Sequence, residues 1–272
     1  MVNRAAVFCS IELCRRIERA VATDLGRAAE SGGGFTLEVG GGTAVFAGAD
    51  SPLTKVVGVD LDVDALAGVE ELFAASGATV VVELPSLADP DVALGLSARG
   101  YQLCGFEVVL GQSLEDESEV AVAEELEVRQ SPEAEFESWL DIIVAGFMAP
   151  EDDAVAVQPI SRIALRRAVR SMADRATRHV GLRGTEIVAA SSMSFEDGIA
   201  FLGGATTLRG HRRRGFQTSM LEHRLAVARD HGVDLACVTT TPGSRSNQNV
   251  QRRGFSPLYT RALMTFSPPS PT

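Results

Sequence analysis

Apolar residues recur along this chain in two rhythms, one near 3.6 residues and one of two, so helices and strands are both expected. In the first half, Ile11, Cys14, Ile17, Val21 and Leu25 share one face of a helix predicted over 9–29. Strands are predicted at 35–39, 43–47 and 55–61, with the glycine triplets 32–34 and 40–42 supplying turns between them. A helix over 65–75, a strand at 79–84, a helix after Pro90 and a strand at 102–110 complete this half.

A dense acidic stretch follows, with Glu115, Asp116, Glu117, Glu119, Glu124, Glu125 and Glu127 inside sixteen residues. Such runs are solvated connections, which places a linker at 117–127 between domains at 1–116 and 128–268, with a tail at 269–272. Val128 closes a short strand, and Ser131-Pro132 reads as a helix start, serine capping and proline in the first turn. Phe136, Trp139, Leu140, Ile143 and Phe147 form that helix's apolar stripe, broken by Pro150, Glu151, Asp152 and Asp153. An arginine-rich helix over 162–177 precedes strands at 180–182, 186–192 and 199–208, the last two joined by a turn at Glu196-Asp197-Gly198. Met220, Leu221, Leu225 and Ala228 mark a helix that stops at His231-Gly232. A strand at 235–240, a short helix at 244–253 and a strand at 259–266 end the pattern. The second half therefore repeats the order of the first, and Gly100-Tyr101 parallels Gly254-Phe255; an internal duplication is expected.

Composition narrows the functional classes. The 272 residues carry a formal net charge of −11, which argues against nucleic acid as a partner. The four cysteines form no CxxC pair, so neither zinc nor a disulfide framework is indicated, and no metal is expected. No apolar run reaches membrane-spanning length, and a cytoplasmic protein is expected.

Against that acidic background, Arg209 to Arg214 packs four arginines and a histidine into six residues between a strand and a helix. A helix start leaves backbone N–H groups unpaired at the positive end of the helix dipole, a natural seat for phosphate. Gly215 permits close backbone approach. A solvated basic turn and a nucleic-acid patch are the competing readings. A Walker A loop and a Rossmann fingerprint are both absent.

Arg212-x-x-Gly215-x-Gln217 resembles the acetyl-CoA motif, Q/R-x-x-G-x-G/A, of the Gcn5-related N-acetyltransferase (GNAT) enzymes, and the element order over 128–266 resembles theirs. The resemblance implies an α/β fold with a mixed, mostly antiparallel central sheet flanked by helices, here in two tandem domains of which the first lacks the cofactor loop. It implies acetyl-CoA or coenzyme A bound by the backbone of Ala205, Thr207 and Leu208 along the pantetheine. The N–H groups of Arg213, Arg214, Gly215, Phe216, Gln217, Thr218 and Ser219 would surround the pyrophosphate. Arg212 matches the motif arginine, Arg213 or Arg214 would reach the 3′-phosphate, and Asn249 would contact the pantetheine.

Two departures bear on catalysis. Gln217 replaces a small residue, and Val250 stands where many members of the family carry an acidic tyrosine. The strand 199–208 also lacks a glutamate to serve as base. Tyr259 is the substitute acid this pattern offers; a half-buried sheet tyrosine is the competing reading. The expected activity is acetyl transfer to a primary amine of a small molecule or peptide, with a non-catalytic acyl-CoA-binding protein as the alternative. Whether the chain forms a homodimer is left open.

Overall fold

The computed structural model describes residues 7–115, 125–149 and 160–266. Pro150, Glu151, Asp152, Asp153, most of the acidic linker and the expected tail lie outside these. Two compact units divide the chain, and they do not follow sequence order. Among the described residues, the N-terminal unit comprises 8–109, 160–171 and 257–266; the C-terminal unit takes 7, 110–115, 125–149 and 172–256.

In the N-terminal unit, the Ser10 side chain accepts from the Leu13 amide at 3.2 Å and caps α1 (Ile11–Ser31). Then come β1 (Phe35–Phe46), β2 (Lys55–Leu61), α2 (Leu66–Ala75), β3 (Val80–Pro85), α3 (Pro90–Ala98) and β4 (Gln102–Ser113). The second glycine triplet is not a turn. β1 runs through it as one strand whose register against β2 shifts between Gly41 and Gly42. The backbones approach too closely there for any side chain, since a Cβ on Gly58 would lie 2.5 Å from the Gly42 Cα. Phe73, Leu66 and Leu96 from the two short helices pack with Val80, Val82 and Tyr101 into the core.

In the C-terminal unit, β5 (Glu127–Gln130) leads to α4 (Phe136–Met148). The expected start at Ser131-Pro132 is displaced: Pro132 is extended, and a 3₁₀ turn at Glu133–Glu135 precedes the helix. Beyond α5 (Arg162–Ala173), which belongs to the N-terminal unit up to Ser171, come β6 (Thr177–Arg183), β7 (Glu186–Glu196) and β8 (Ile199–Thr207). Asp197 and Gly198, at φ 48° and 71°, make the tight turn between β7 and β8. α6 (Phe216–Asp230), β9 (Leu235–Thr240), α7 (Arg245–Gln251) and β10 (Ser256–Phe266) follow.

β10 departs from the expected 128–268 domain. It pairs antiparallel with β3, from Arg261 opposite Pro85 to Phe266 opposite Val80, and so belongs to the N-terminal unit. Strand order there is β1-β2-β3-β10-β4; in the C-terminal unit it is β9-β8-β7-β6-β5. Pairing is mostly antiparallel, with β2–β3 and β8–β9 parallel.

The run β2-α2-β3-α3-β4 thus recurs as β8-α6-β9-α7-β10. Its ends share detail: Gly100 and Gly254 take φ 94° and 93°, and the next residue, Tyr101 or Phe255, is buried. In both, that residue's amide donates five residues back, to the Leu96 or Val250 carbonyl.

Candidate functional site

β8 and β9 pair in parallel only from Ile199 opposite Leu235 to Phe201 opposite Cys237. Beyond that the registered pairing stops while both strands continue, so β8 from Leu202 onward has an open edge. A bulge contributes: register against β7 shifts between Ala190, opposite Thr206, and Ser192, opposite Gly203, which leaves Gly204 and Ala205 against Ser191 alone, and Gly204 takes φ 51°. Arg224 of α6 holds that bulge. Its Nη1 donates to the Ser192 carbonyl at 3.1 Å and the Gly203 carbonyl at 3.2 Å, and burial lowers its pKa to about 10. The sequence reading missed Arg224; only the Gly203-Gly204 pair inside a strand hinted at a distortion needing support.

Past the bulge, Leu208 donates its amide to the Val188 carbonyl at 2.9 Å, so its polar groups turn toward β7. Polar groups alternate along a strand, which turns those of Thr207 toward the open edge, where its carbonyl accepts from Arg212 Nε, while Ala205 lies within the bulge. The Leu208 carbonyl accepts from His211 at 2.8 Å.

The chain then makes a 3₁₀ turn at Arg209–His211 and enters α6. Arg213 at φ 64° and Gly215 at φ 79° are both left-handed, the first a strained choice for a side-chain-bearing residue. Gly215 is the N-cap of α6, and no side chain caps the helix. The amides of its first turn, on Phe216, Gln217 and Thr218, lack intrahelical acceptors by construction. Ser219 differs, since its amide donates to the Gly215 carbonyl at 3.1 Å.

The arginines divide the work. Arg212 bridges backbone: Nε donates to the Thr207 carbonyl at 3.1 Å and Nη2 to that of Ala149, the C-cap of α4, at 3.3 Å. It shapes the loop and is not presented as an open charge. Arg213 and Arg214 are exposed, the nearest carboxylate to Arg214 being Glu125 at 3.8 Å. Gln217 does not project into the cradle; its Oε1 accepts from Asn249 Nδ2 at 2.6 Å. Asn249 is thus joined to α6, and Arg253 Nη2 lies 3.4 Å from Thr218 Oγ1 beside it. On α4, Trp139 Nε1 donates to the Ser191 carbonyl at 2.9 Å, and Gly146 lets the helix press on Thr206, where a Cβ would come within 1.7 Å of Oγ1.

Tyr259 lies in the N-terminal unit, 4% exposed, donating its hydroxyl to Glu18 Oε1 at 2.5 Å, and burial drives its pKa far above the phenol range. That placement does not suit a proton donor to a departing thiolate, and the half-buried-sheet alternative understated its burial. His223 packs edge-on against buried His179, with 5.1 Å between ring centroids. Among the described residues, no group of three or more His, Cys, Asp or Glu side chains is placed to hold a metal, and no helix is long and apolar enough to cross a membrane.

A parallel pair that parts over a bulge, followed by an uncapped helix start behind an arginine-glycine loop, defines a fold class: the chain has the fold of the GCN5-related N-acetyltransferases. It is similar in structure to a GCN5-related N-acetyltransferase from Kribbella flavida, with a TM-score of 0.70 and 21% identity over 94% of this chain and 96% of that one. A putative GNAT-family acetyltransferase from Novosphingobium aromaticivorans matches at TM-score 0.58 and 13% identity, over 93% and 99% of the two chains. A tandem GNAT protein from the clavulanic acid biosynthesis pathway matches at TM-score 0.57 and 14% identity, over 83% and 78%. No family model and no curated protein sequence matches the chain.

Proposed function

We propose that the chain is an N-acyltransferase that takes an acyl group, acetyl in the first instance, from its coenzyme A thioester to a primary amine of a small molecule or peptide. The observation that carries this is the continuity of the open β8 edge with the α6 start. The edge offers backbone partners to the amides of a pantetheine arm, and the first-turn N–H groups and helix dipole suit its pyrophosphate. Arg213 and Arg214 add exposed positive charge for the remaining phosphate.

The chemistry is attack of a neutral amine on the thioester carbonyl, forming the amide bond and breaking the carbon–sulfur bond. One proton leaves the amine and one is returned to the departing thiolate. β8 carries no carboxylate and the Tyr259 hydroxyl is buried against Glu18, so the protein's contribution on this reading is positioning, with protons passing through water. The same facts favour a second reading, an acyl-CoA-binding protein without turnover.

Calorimetric titration of acetyl-CoA tests the site, using wild type and Gly215→Glu, which puts a strained carboxylate at the phosphate seat. Binding that disappears in the variant supports the reading; a wild type that binds neither acetyl-CoA nor coenzyme A refutes it. Thiol release with a panel of amines then separates the two readings. A cytoplasmic setting and a possible second copy of the chain as partner belong to the same proposal.

A further inference from the structure

The N-terminal unit holds a cavity that acyl transfer does not use. It lies where α1 runs beside β1 and β2, around the bulge at Gly41, Gly42 and Gly58, and its volume is about 560 Å³. That size falls within the range of small-molecule sites.

Its wall includes Glu18, 1% exposed, which is held as few core carboxylates are. Oε1 accepts from the Tyr259 hydroxyl and from Arg261 Nε at 2.9 Å; Oε2 has no hydrogen-bond partner. Arg261 is fixed in turn by Glu83 at 3.1 Å, and Glu83 by Lys55. Burying so many charges costs more than apolar packing of the same volume. Beneath a cavity, though, such a network gives a rigid polar wall of the kind a binding site needs, with Glu18 Oε2 left unpartnered.

Around the opening the charges are not all spent. Arg15 and Asp60 satisfy each other through two hydrogen bonds of 2.7 and 2.8 Å. Arg19, Glu30 and Glu38 also line the cavity, are exposed, and make no ion pair among the described residues. The contact of Gly26 with Thr36 and the bond from Arg15 to Asp60, which lies opposite Gly41, set α1 antiparallel to β1. Arg19, Glu38 and Glu30 therefore follow one another in that order along the groove.

We propose that this cavity binds a basic amino acid: the carboxylate at Arg19, the α-ammonium at Glu38 and the side-chain cation toward Glu30. Arg27 also lines the cavity but is partnered, which leaves one guanidinium and two carboxylates to match one anionic and two cationic groups, in the order those groups take along a single extended molecule. The proposal stands apart from acyl transfer and would survive its failure.

The test is a titration of ¹⁵N-labelled protein with L-lysine, L-lysine methyl ester, which lacks the carboxylate, and L-norleucine, which lacks the second cation. Lysine at millimolar concentration is expected to move the amide signals of Gly41, Gly42 and Gly58. Removing either charged partner should weaken binding about tenfold, the scale of one charge-assisted hydrogen bond. Arg19→Ala, at an exposed position, should erase the preference for lysine over its ester, and Glu38→Gln should weaken lysine while the circular dichroism spectrum stays unchanged. Glycine signals that ignore lysine, equal affinity for norleucine, or an Arg19→Ala protein that still prefers lysine to the ester would each overturn the proposal.

Discussion

Asn249 donates its side-chain N–H to the Oε1 of Gln217 at 2.6 Å, joining two residues 32 positions apart. The bond holds the glutamine side chain toward α7, and on the proposed function that keeps it off the seat of the pyrophosphate. Asn249→Ala should therefore weaken acetyl-CoA binding several-fold by releasing Gln217, and Gln217→Ala should not. If the two residues act as one unit, the double variant binds like Gln217→Ala, with a coupling of about 1 kcal/mol. Calorimetry on the four proteins decides. Strictly additive losses would show that Asn249 acts independently of the glutamine.

Neighbouring arginines should respond in opposite directions. Arg212→Ala removes both donors that fasten Thr207 and Ala149 and should destabilise by about 1–2 kcal/mol, with loss of acetyl-CoA affinity. Arg213→Gly relieves a left-handed residue at φ 64° and should stabilise by about 0.5–1 kcal/mol while still weakening binding through the lost charge. Denaturant midpoints measure the first effect and titration the second. A destabilised Arg213→Gly protein would mean that its side chain supports the loop.

What the sequence disclosed follows the range of the interactions involved. β2 at 55–61 and β9 at 235–240 fall where the apolar runs put them, because a buried strand between turns is a local pattern. The loop ahead of α6 was legible for the same reason: a glycine, a helix start and a run of arginines are neighbours in the chain. Tyr259 was misread because nothing near it reveals that β10 pairs with β3, which makes Glu18, 241 residues away, its partner. The Gly40–Gly42 triplet was read as a turn because glycines that bend a chain and glycines that let two strands touch look alike until the partner, Gly58, is known.

Tyr259→Phe separates a structural tyrosine from a catalytic one. The change removes one hydrogen bond to Glu18 and leaves Arg261 as its partner, so a loss of about 1–2 kcal/mol in stability is expected. Acyl transfer per folded molecule, and its pH profile, should match the wild type. A fall in turnover of a hundredfold or more with stability intact would restore Tyr259 as the acid.

Acid should destabilise the C-terminal unit through His179. The residue is 1% exposed, and neither ring nitrogen has a hydrogen-bond partner. Burial, reinforced by the neighbouring His223 and Arg224, pulls its pKa down to about 3. Folded His179 therefore stays neutral over a range in which the unfolded chain, titrating near an ordinary value of about 6.5, takes up a proton. Because the folded form binds fewer protons, stability is constant above that value and declines as the pH falls from about 6.5 toward 3. The slope is at most about 1.4 kcal/mol per pH unit from this one group. His223, whose pKa burial also lowers, adds in the same direction. Denaturation midpoints at about pH 7.5, 6 and 5 should show this decline in the wild type and a shallower one in His179→Phe. A wild type equally stable at pH 7.5 and 5 would mean that the pocket around His179 opens to admit the charge.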